Sequence, residues 1–236
     1  MTKILQIETS TEVCSVAISE NGKTLFVKES LEGLNHSELL TVFIDEIFAE
    51  NKLSLNSIDA VAVSKGPGSY TGLRIGVSVA KGLCYALSIP LISVNSLRVL
   101  GTFAAKNAGN FSDGNANEKI LFCPMIDARR MEVYTSLYNS GGEQIKPVSA
   151  EIIDTDFLAD YLTEYQVYFL GNGTQKCKNT IVHTNAHFEG PQTTSAQFMS
   201  NIALEKYNKK EFEDVAYFEP FYLKNFVATI PKNKIF

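Results

Sequence analysis

The sequence predicts an α/β protein of two lobes, each built on a hairpin-led sheet with helices against it. Three observations carry this expectation. Strand-like alternation is interleaved with helical periodicity along the chain. A hairpin pattern occurs once in each half, and a stretch rich in Asn, Gly and Asp, 106–119 "KNAGNFSDGNANEK", separates the two copies.

In chain order, "ILQIETSTEVCSVAISENGKTL" is a buried run followed from Val13 by alternating residues that turn at Asn21-Gly22, a hairpin signature. Asn35 and Glu38 form a capping-box-like start, and Leu39, Leu40, Phe43, Ile44, Ile47 and Phe48 then recur at helical spacing. A strand at Val61 to Val63, a Gly-Pro-Gly loop, a long apolar helix and a strand at Leu91 to Val94 complete the first half. The second half opens with a strand at Ile120 and repeats the hairpin. Ile126-Asp127 matches Ile7-Glu8, Glu132-Val133 matches Glu12-Val13, and Gly142 matches Gly22. Such self-similarity suggests a duplicated supersecondary unit. A helix near Asp156 to Tyr165, a strand ending at Gly171-Asn172-Gly173 and a helix near Ser195 to Tyr207 follow. The expected lobes are 1–105 and 106–236, with the C-terminal tail a candidate to return to the first.

Composition narrows the function classes. The 236 residues are 45% hydrophobic and 20% charged, enough for a sizeable core. A net charge of −5 argues against a chain that binds nucleic acid unaided, because phosphate contacts demand clustered Lys and Arg. Cys14, Cys84, Cys123 and Cys177 form no CxxC pair, the N-terminus has no signal-like pattern and no apolar run reaches membrane-spanning length. These features lead us to expect a cytoplasmic protein with reduced thiols.

The stretch "KGPGSYTGLRIGVSVAKGLCYAL", Lys65 to Leu87, is the most distinctive. It satisfies neither the phosphate-binding GxxxxGK[ST] pattern nor the dinucleotide GxGxxG spacing, since Thr71 stands where a glycine is required. Gly66, Gly68, Ser69 and Thr71 could still hold an anion at a helix start, or make a tight strand-to-helix connection. On the helix, Arg74, Ser78, Lys81 and Tyr85 form one polar stripe, and the rest is apolar or small. Gly72, Gly76 and Ala80 fall four residues apart, a row that lets another helix approach. The helix is then either sandwiched inside its own lobe or, with the helix from Glu38, part of a docking face for a second protein. The docking reading takes Leu39, Leu40, Phe43, Ile47, Gly72, Leu73, Gly76, Val77, Ala80 and Leu83 as the interface.

"ILQIETSTEVCSVAI", "NHSELL", "DAVAVSKGPGSYTGLRIGVSVAKGLCYALSIPLISVNSL", "IDARRMEVY", "GNG" and "EPFYLKNFVA" together closely resemble the TsaB (YeaZ) family, from the first strand to the tail. The resemblance implies a two-lobed fold of the actin, Hsp70 and sugar-kinase class with a ribonuclease-H-like unit in each lobe. It also implies work beside the catalytic paralogue TsaD and the ATPase TsaE, in placing threonylcarbamoyl on N6 of adenosine 37 of tRNAs reading codons that begin with A. The paralogue carries two metal-binding histidines, four residues apart, after the same helix and strand. Here Ser96 and Leu100 stand at those positions. A serine hydroxyl is a poor ligand for such a metal and leucine is none.

Other candidates for chemistry are sparse. His183 and His187 have a metal-like spacing, but "TNA" between them and Gly190-Pro191 after them argue against a rigid helix. His36 stands alone. Glu8-Thr9-Ser10-Thr11 lacks a glycine that would let the backbone wrap a phosphate. Glu8 and Asp127 resemble paired acids of a nucleotide site, or are strand-end carboxylates accepting turn hydrogen bonds. We therefore expect a pseudoenzyme subunit without cofactor or resident metal. It would dock TsaD together with TsaE, meet tRNA only through that complex, and form a homodimer when alone. The alternative is an independent ATP-binding enzyme of the actin-like class; a peptidase lacks the metal pair and any evident triad.

Overall fold

The computed structural model describes residues 1–33, 35–111 and 119–224. Parts of the expected loop at 106–119 and of the tail motif at 219–228 lie outside these residues.

The first half contributes β1 (Lys3–Glu8), β2 (Cys14–Glu20), β3 (Lys23–Ser30), α1 (His36–Glu50), β4 (Ala60–Gly66), α2 (Tyr70–Leu87), β5 (Leu91–Asn95) and α3 (Ser96–Lys106). The second contributes β6 (Ile120–Asp127), β7 (Glu132–Asn139), β8 (Gln144–Ile152), α4 (Ala159–Glu164), β9 (Gln166–Leu170), α5 (Thr174–Cys177), β10 (Ala186–His187) and α6 (Ser200–Asn208). The sheet orders are β3-β2-β1-β4-β5 and β8-β7-β6-β9-β10. In each, the first three strands are antiparallel and the last two run parallel to the first. The same unit is thus built twice, and the fold is a two-lobed, actin-like α/β fold with ribonuclease-H-like strand order in each lobe. The hairpin match between the halves is the sequence trace of that duplication.

Alternating side chains of the first sheet feed two cores. Leu5, Ile7, Val61 and Val63 pack under α1 and α2, while Ile4, Ala60, Ala62, Ile92 and Val94 pack against Val99 of α3 and Met199, Ile202 and Ala203 around α6. The α1 and α2 stripes supply Leu40, Ile44, Ile47, Val77 and Ala80 to the first core. The α3 helix also reaches the second sheet, where a Cβ on Gly101 would lie 2.3 Å from the Tyr138 ring. Residues 194–222 run along the first sheet. Thr11 and Thr194 share a hydroxyl bond of 2.8 Å, Ala196 N donates to Ser15 Oγ at 3.0 Å, Glu213 N donates to Leu91 O at 2.9 Å and Phe221 N donates to Lys65 O at 2.7 Å.

One local expectation fails. The capping box at Asn35 and Glu38 does not form. Asn35 is the N-cap of α1, but its side chain caps nothing and Nδ2 donates instead to Glu32 O at 3.2 Å.

Candidate docking face and the interlobe cleft

The Gly-Pro-Gly loop closes on its own chain. Ser69 N donates to Ser10 O at 2.7 Å, and Ser69 Oγ caps α2 by accepting from Gly72 N at 3.3 Å. A Cβ on Gly68 would stand 2.2 Å from Ser10 O, and one on Gly66, where φ is +105°, 2.8 Å from Phe221 O. Thr71 is exposed on the first turn. The Thr9-Ser10 backbone therefore sits where an anion would have to approach Gly68 and Ser69, and the loop is a tight strand-to-helix connection.

The same Thr9 corrects the reading of the small-residue row. A Cβ on Gly72 would lie 2.2 Å from Thr9 O and one on Gly76 2.2 Å from Thr9 Oγ1, so these glycines let α2 settle onto the end of β1. Ala80 is fully buried beside them. Leu40 and Ile47 of α1 and Leu73 and Val77 of α2 are at most 4% exposed and belong to the chain's own core. Of the ten interface candidates, Leu40, Ile47, Gly72, Leu73, Gly76, Val77 and Ala80 thus face inward. Helical periodicity shows that a face is apolar or small, and not which neighbour covers it.

The outward face is different. Leu39 and Phe43 of α1 and Leu83 of α2 are half-exposed, joined by Ile75 and Val79, and Val42 is 44% exposed. Ser78, Gly82 and Ala86 form a second small-residue row that is exposed, and a Cβ on Gly82 would meet nothing within 4 Å. The sequence held this row, but Ser78 read as part of a polar stripe. Lys81 of that stripe is tied back to the tail, donating to Ala216 O at 3.1 Å and Phe218 O at 3.0 Å.

In the cleft, the two acids part company. Glu8 is completely buried; its Oε1 accepts from Ser10 N at 2.6 Å and Ser64 Oγ at 3.0 Å, while Oε2 has no partner. Burial drives its carboxyl above the usual range, opposed by the Ser10, Ser64 and Thr9 hydrogen bonds. Asp127 is exposed and pairs with Lys176 of α5. Asn172 joins the lobes at this point: its Oδ1 accepts from Asp127 N at 3.0 Å and its Nδ2 donates to Glu12 Oε2 at 2.6 Å.

At the degenerate metal positions, Ser96 opens α3, capped by Asn95 Oδ1, and both Ser96 and Leu100 are fully buried. Leu100 closes against Gly171, 3.1 Å from where a Cβ there would stand. His183 Nδ1 accepts from Asn185 N at 3.1 Å, whereas His187 lies on β10, stacked on Tyr168 at 4.6 Å and bonded to Gln166 at 2.6 Å. The two rings are occupied separately. His36 is buried at the start of α1 near the Thr11 and Val13 backbone, and desolvation holds its pKa below the usual histidine value. Among the described residues no group of three or more His, Cys, Asp or Glu side chains could hold a metal ion, and no helix is long and apolar enough to cross a membrane.

The fold and these sites define a two-lobed actin-like protein with a partly exposed apolar face on α1 and α2. Residues 31–232 match the family model of TsaD, described as tRNA N6-adenosine threonylcarbamoyltransferase. The Haemophilus influenzae tRNA threonylcarbamoyladenosine biosynthesis protein TsaB is 29% identical over 234 residues, covering 95% of this chain and 94% of that protein. The Bacillus subtilis protein of the same name is 33% identical over 183 residues, 75% of this chain and 74% of its own length. The solved structure of YeaZ from Pseudomonas aeruginosa superposes with a TM-score of 0.74 at 26% identity, covering 94% of this chain and all of that one. The chain belongs to the TsaB (YeaZ) family.

Proposed function

We propose that this protein acts in tRNA threonylcarbamoyladenosine biosynthesis as a non-catalytic subunit. It docks TsaD through the outward face of α1 and α2 and supports, together with TsaE, transfer of threonylcarbamoyl to N6 of adenosine 37. The biosynthetic assignment rests on the names its relatives carry. The docking assignment rests on one observation: Ser78, Gly82 and Ala86 form an exposed row of small residues on α2 beside half-exposed Ile75, Val79 and Leu83, and α1 presents half-exposed Leu39 and Phe43. Small residues in a row let a partner helix come close, and the flanking apolar side chains supply area to bury. In isolation the same face pairs with a second copy. The non-catalytic assignment rests on Ser96 and Leu100, buried and closed over at the metal positions, and on the Thr9-Ser10 backbone filling the front of the loop. On this reading the protein works in the cytoplasm and meets tRNA only in the complex.

Co-expression with TsaD followed by size exclusion, with and without TsaE, tests the reading. A stable complex whose tRNA-modifying activity needs this chain is the expected result. Failure to co-elute, stoichiometric metal, or micromolar ATP binding by the isolated chain would favour an independent actin-like ATPase instead.

A further inference from the structure

The turn between β6 and β7 carries two consecutive arginines in the left-handed region, Arg129 at φ +72° and Arg130 at φ +50°. Glycine or asparagine occupies such angles at lower cost. The turn is clamped into this shape: Arg129 N donates to Asp127 Oδ1 at 2.8 Å, Glu132 N to Arg129 O at 3.1 Å and Ala128 N to Glu132 O at 3.1 Å. From the side, Lys176 Nζ donates to Glu132 O at 2.6 Å.

The nearby carboxylates that could neutralise the arginines are engaged elsewhere. Lys176 pairs with Asp127, Lys224 pairs with Glu132, and Glu12 accepts from Asn172 at 2.6 Å. Both arginines are exposed, and among the described residues neither has a carboxylate within ion-pairing distance. Arg129, Arg130, Lys176 and Lys224 therefore face three acids, Asp127, Glu132 and Glu12, that are already engaged, on a chain whose net charge is −5. Half-buried Tyr134 of β7 lies within electrostatic reach of Arg129 and Lys224. Two adjacent exposed arginines on a clamped turn suit phosphodiester oxygens, which guanidiniums bind in bidentate fashion.

We infer that the Arg129–Arg130 turn is a contact surface for the phosphodiester backbone of RNA, used when the chain sits in its complex. This rests on the docking reading above and deepens it.

The test uses the full chain co-purified with TsaD, and an unmodified tRNA transcript that reads a codon beginning with A, titrated at several salt concentrations. Arg129→Gly/Arg130→Gly removes both charges while suiting the backbone, and Arg129→Asn/Arg130→Asn gives a second variant should the first fail to fold. The expected result is unchanged co-purification, a melt no lower than wild type, RNA affinity down roughly tenfold, and a log–log salt slope shallower by about 2. Unchanged affinity and slope in a folded variant would overturn the inference. So would a variant that loses TsaD while its RNA binding is unaltered, since the turn would then be a protein contact. If the wild-type chain itself fails to bind TsaD, the docking reading falls and the RNA contact, which is made in the complex, falls with it; a folded variant that keeps TsaD but leaves RNA affinity and slope unchanged overturns the RNA contact alone.

Discussion

Thr9 occupies the room that a side chain at residue 76 would need: its Oγ1 stands 2.2 Å from the position of a Cβ on Gly76. Gly76→Leu should therefore wreck the junction between α2 and β1. The penalty is on the order of 3 kcal/mol or more, since Thr9 and Ile7 both line the space and neither can withdraw from the core. Thermal melting should show a large loss of stability or an unfolded chain; a wild-type melt would mean that α2 is not seated on β1 as described.

Gly82 gives the opposite expectation. With open space around it, Gly82→Leu should fold normally and gain up to about 1 kcal/mol from helix propensity, raising Tm by roughly 2–4 °C. The new side chain projects from the small-residue row beside Ile75, Val79 and Leu83, so co-purification with TsaD should weaken at least tenfold, about 1.4 kcal/mol. A variant that melts as expected and still binds at full strength would move the interface off this face.

Glu8 supplies a pH dependence. Its carboxyl holds a proton more tightly folded than unfolded, so the folded state binds more protons between the ordinary and the raised pKa. Stability from this group is greatest below the ordinary carboxylate value and falls as pH rises through the raised folded value. Glu8→Gln keeps an acceptor for Ser10 N and Ser64 Oγ and removes the buried charge. Denaturant melts across pH should show a shallower decline for the variant than for wild type; parallel curves would exclude Glu8 as the source.

The four cysteines should be silent in the native protein. Cys14, Cys84, Cys123 and Cys177 are all buried, and burial pushes the thiols of Cys14 and Cys177 up to about 11 and those of Cys84 and Cys123 to about 12. A disulfide reagent at neutral pH should label none of them before unfolding and all four afterwards. Rapid labelling of any one would place it at an opening absent from this structure.

The sequence alone determined the repeated hairpin unit, the alternation of strands and helices and the positions of the two principal helices, because these depend on local period and turn chemistry. Asn21-Gly22 and the alternation beyond Val13 are enough to draw a hairpin, and the shared acid, Glu-Val and glycine are enough to show it twice. The serine and leucine at positions 96 and 100 were likewise legible, since ligand chemistry is a property of residue type. Only the tertiary structure decided which row of small residues on α2 faces inward. Gly72, Gly76 and Ala80 differ from Ser78, Gly82 and Ala86 by their angle around one helix, and Thr9, distant in sequence, settles the choice. The same holds for the arginines of the β6–β7 turn. Their left-handed backbone and the lysines that occupy Asp127 and Glu132 come from α5 and from residue 224, contacts that form only when the chain is folded, because pairing across such sequence distances leaves no local pattern to read.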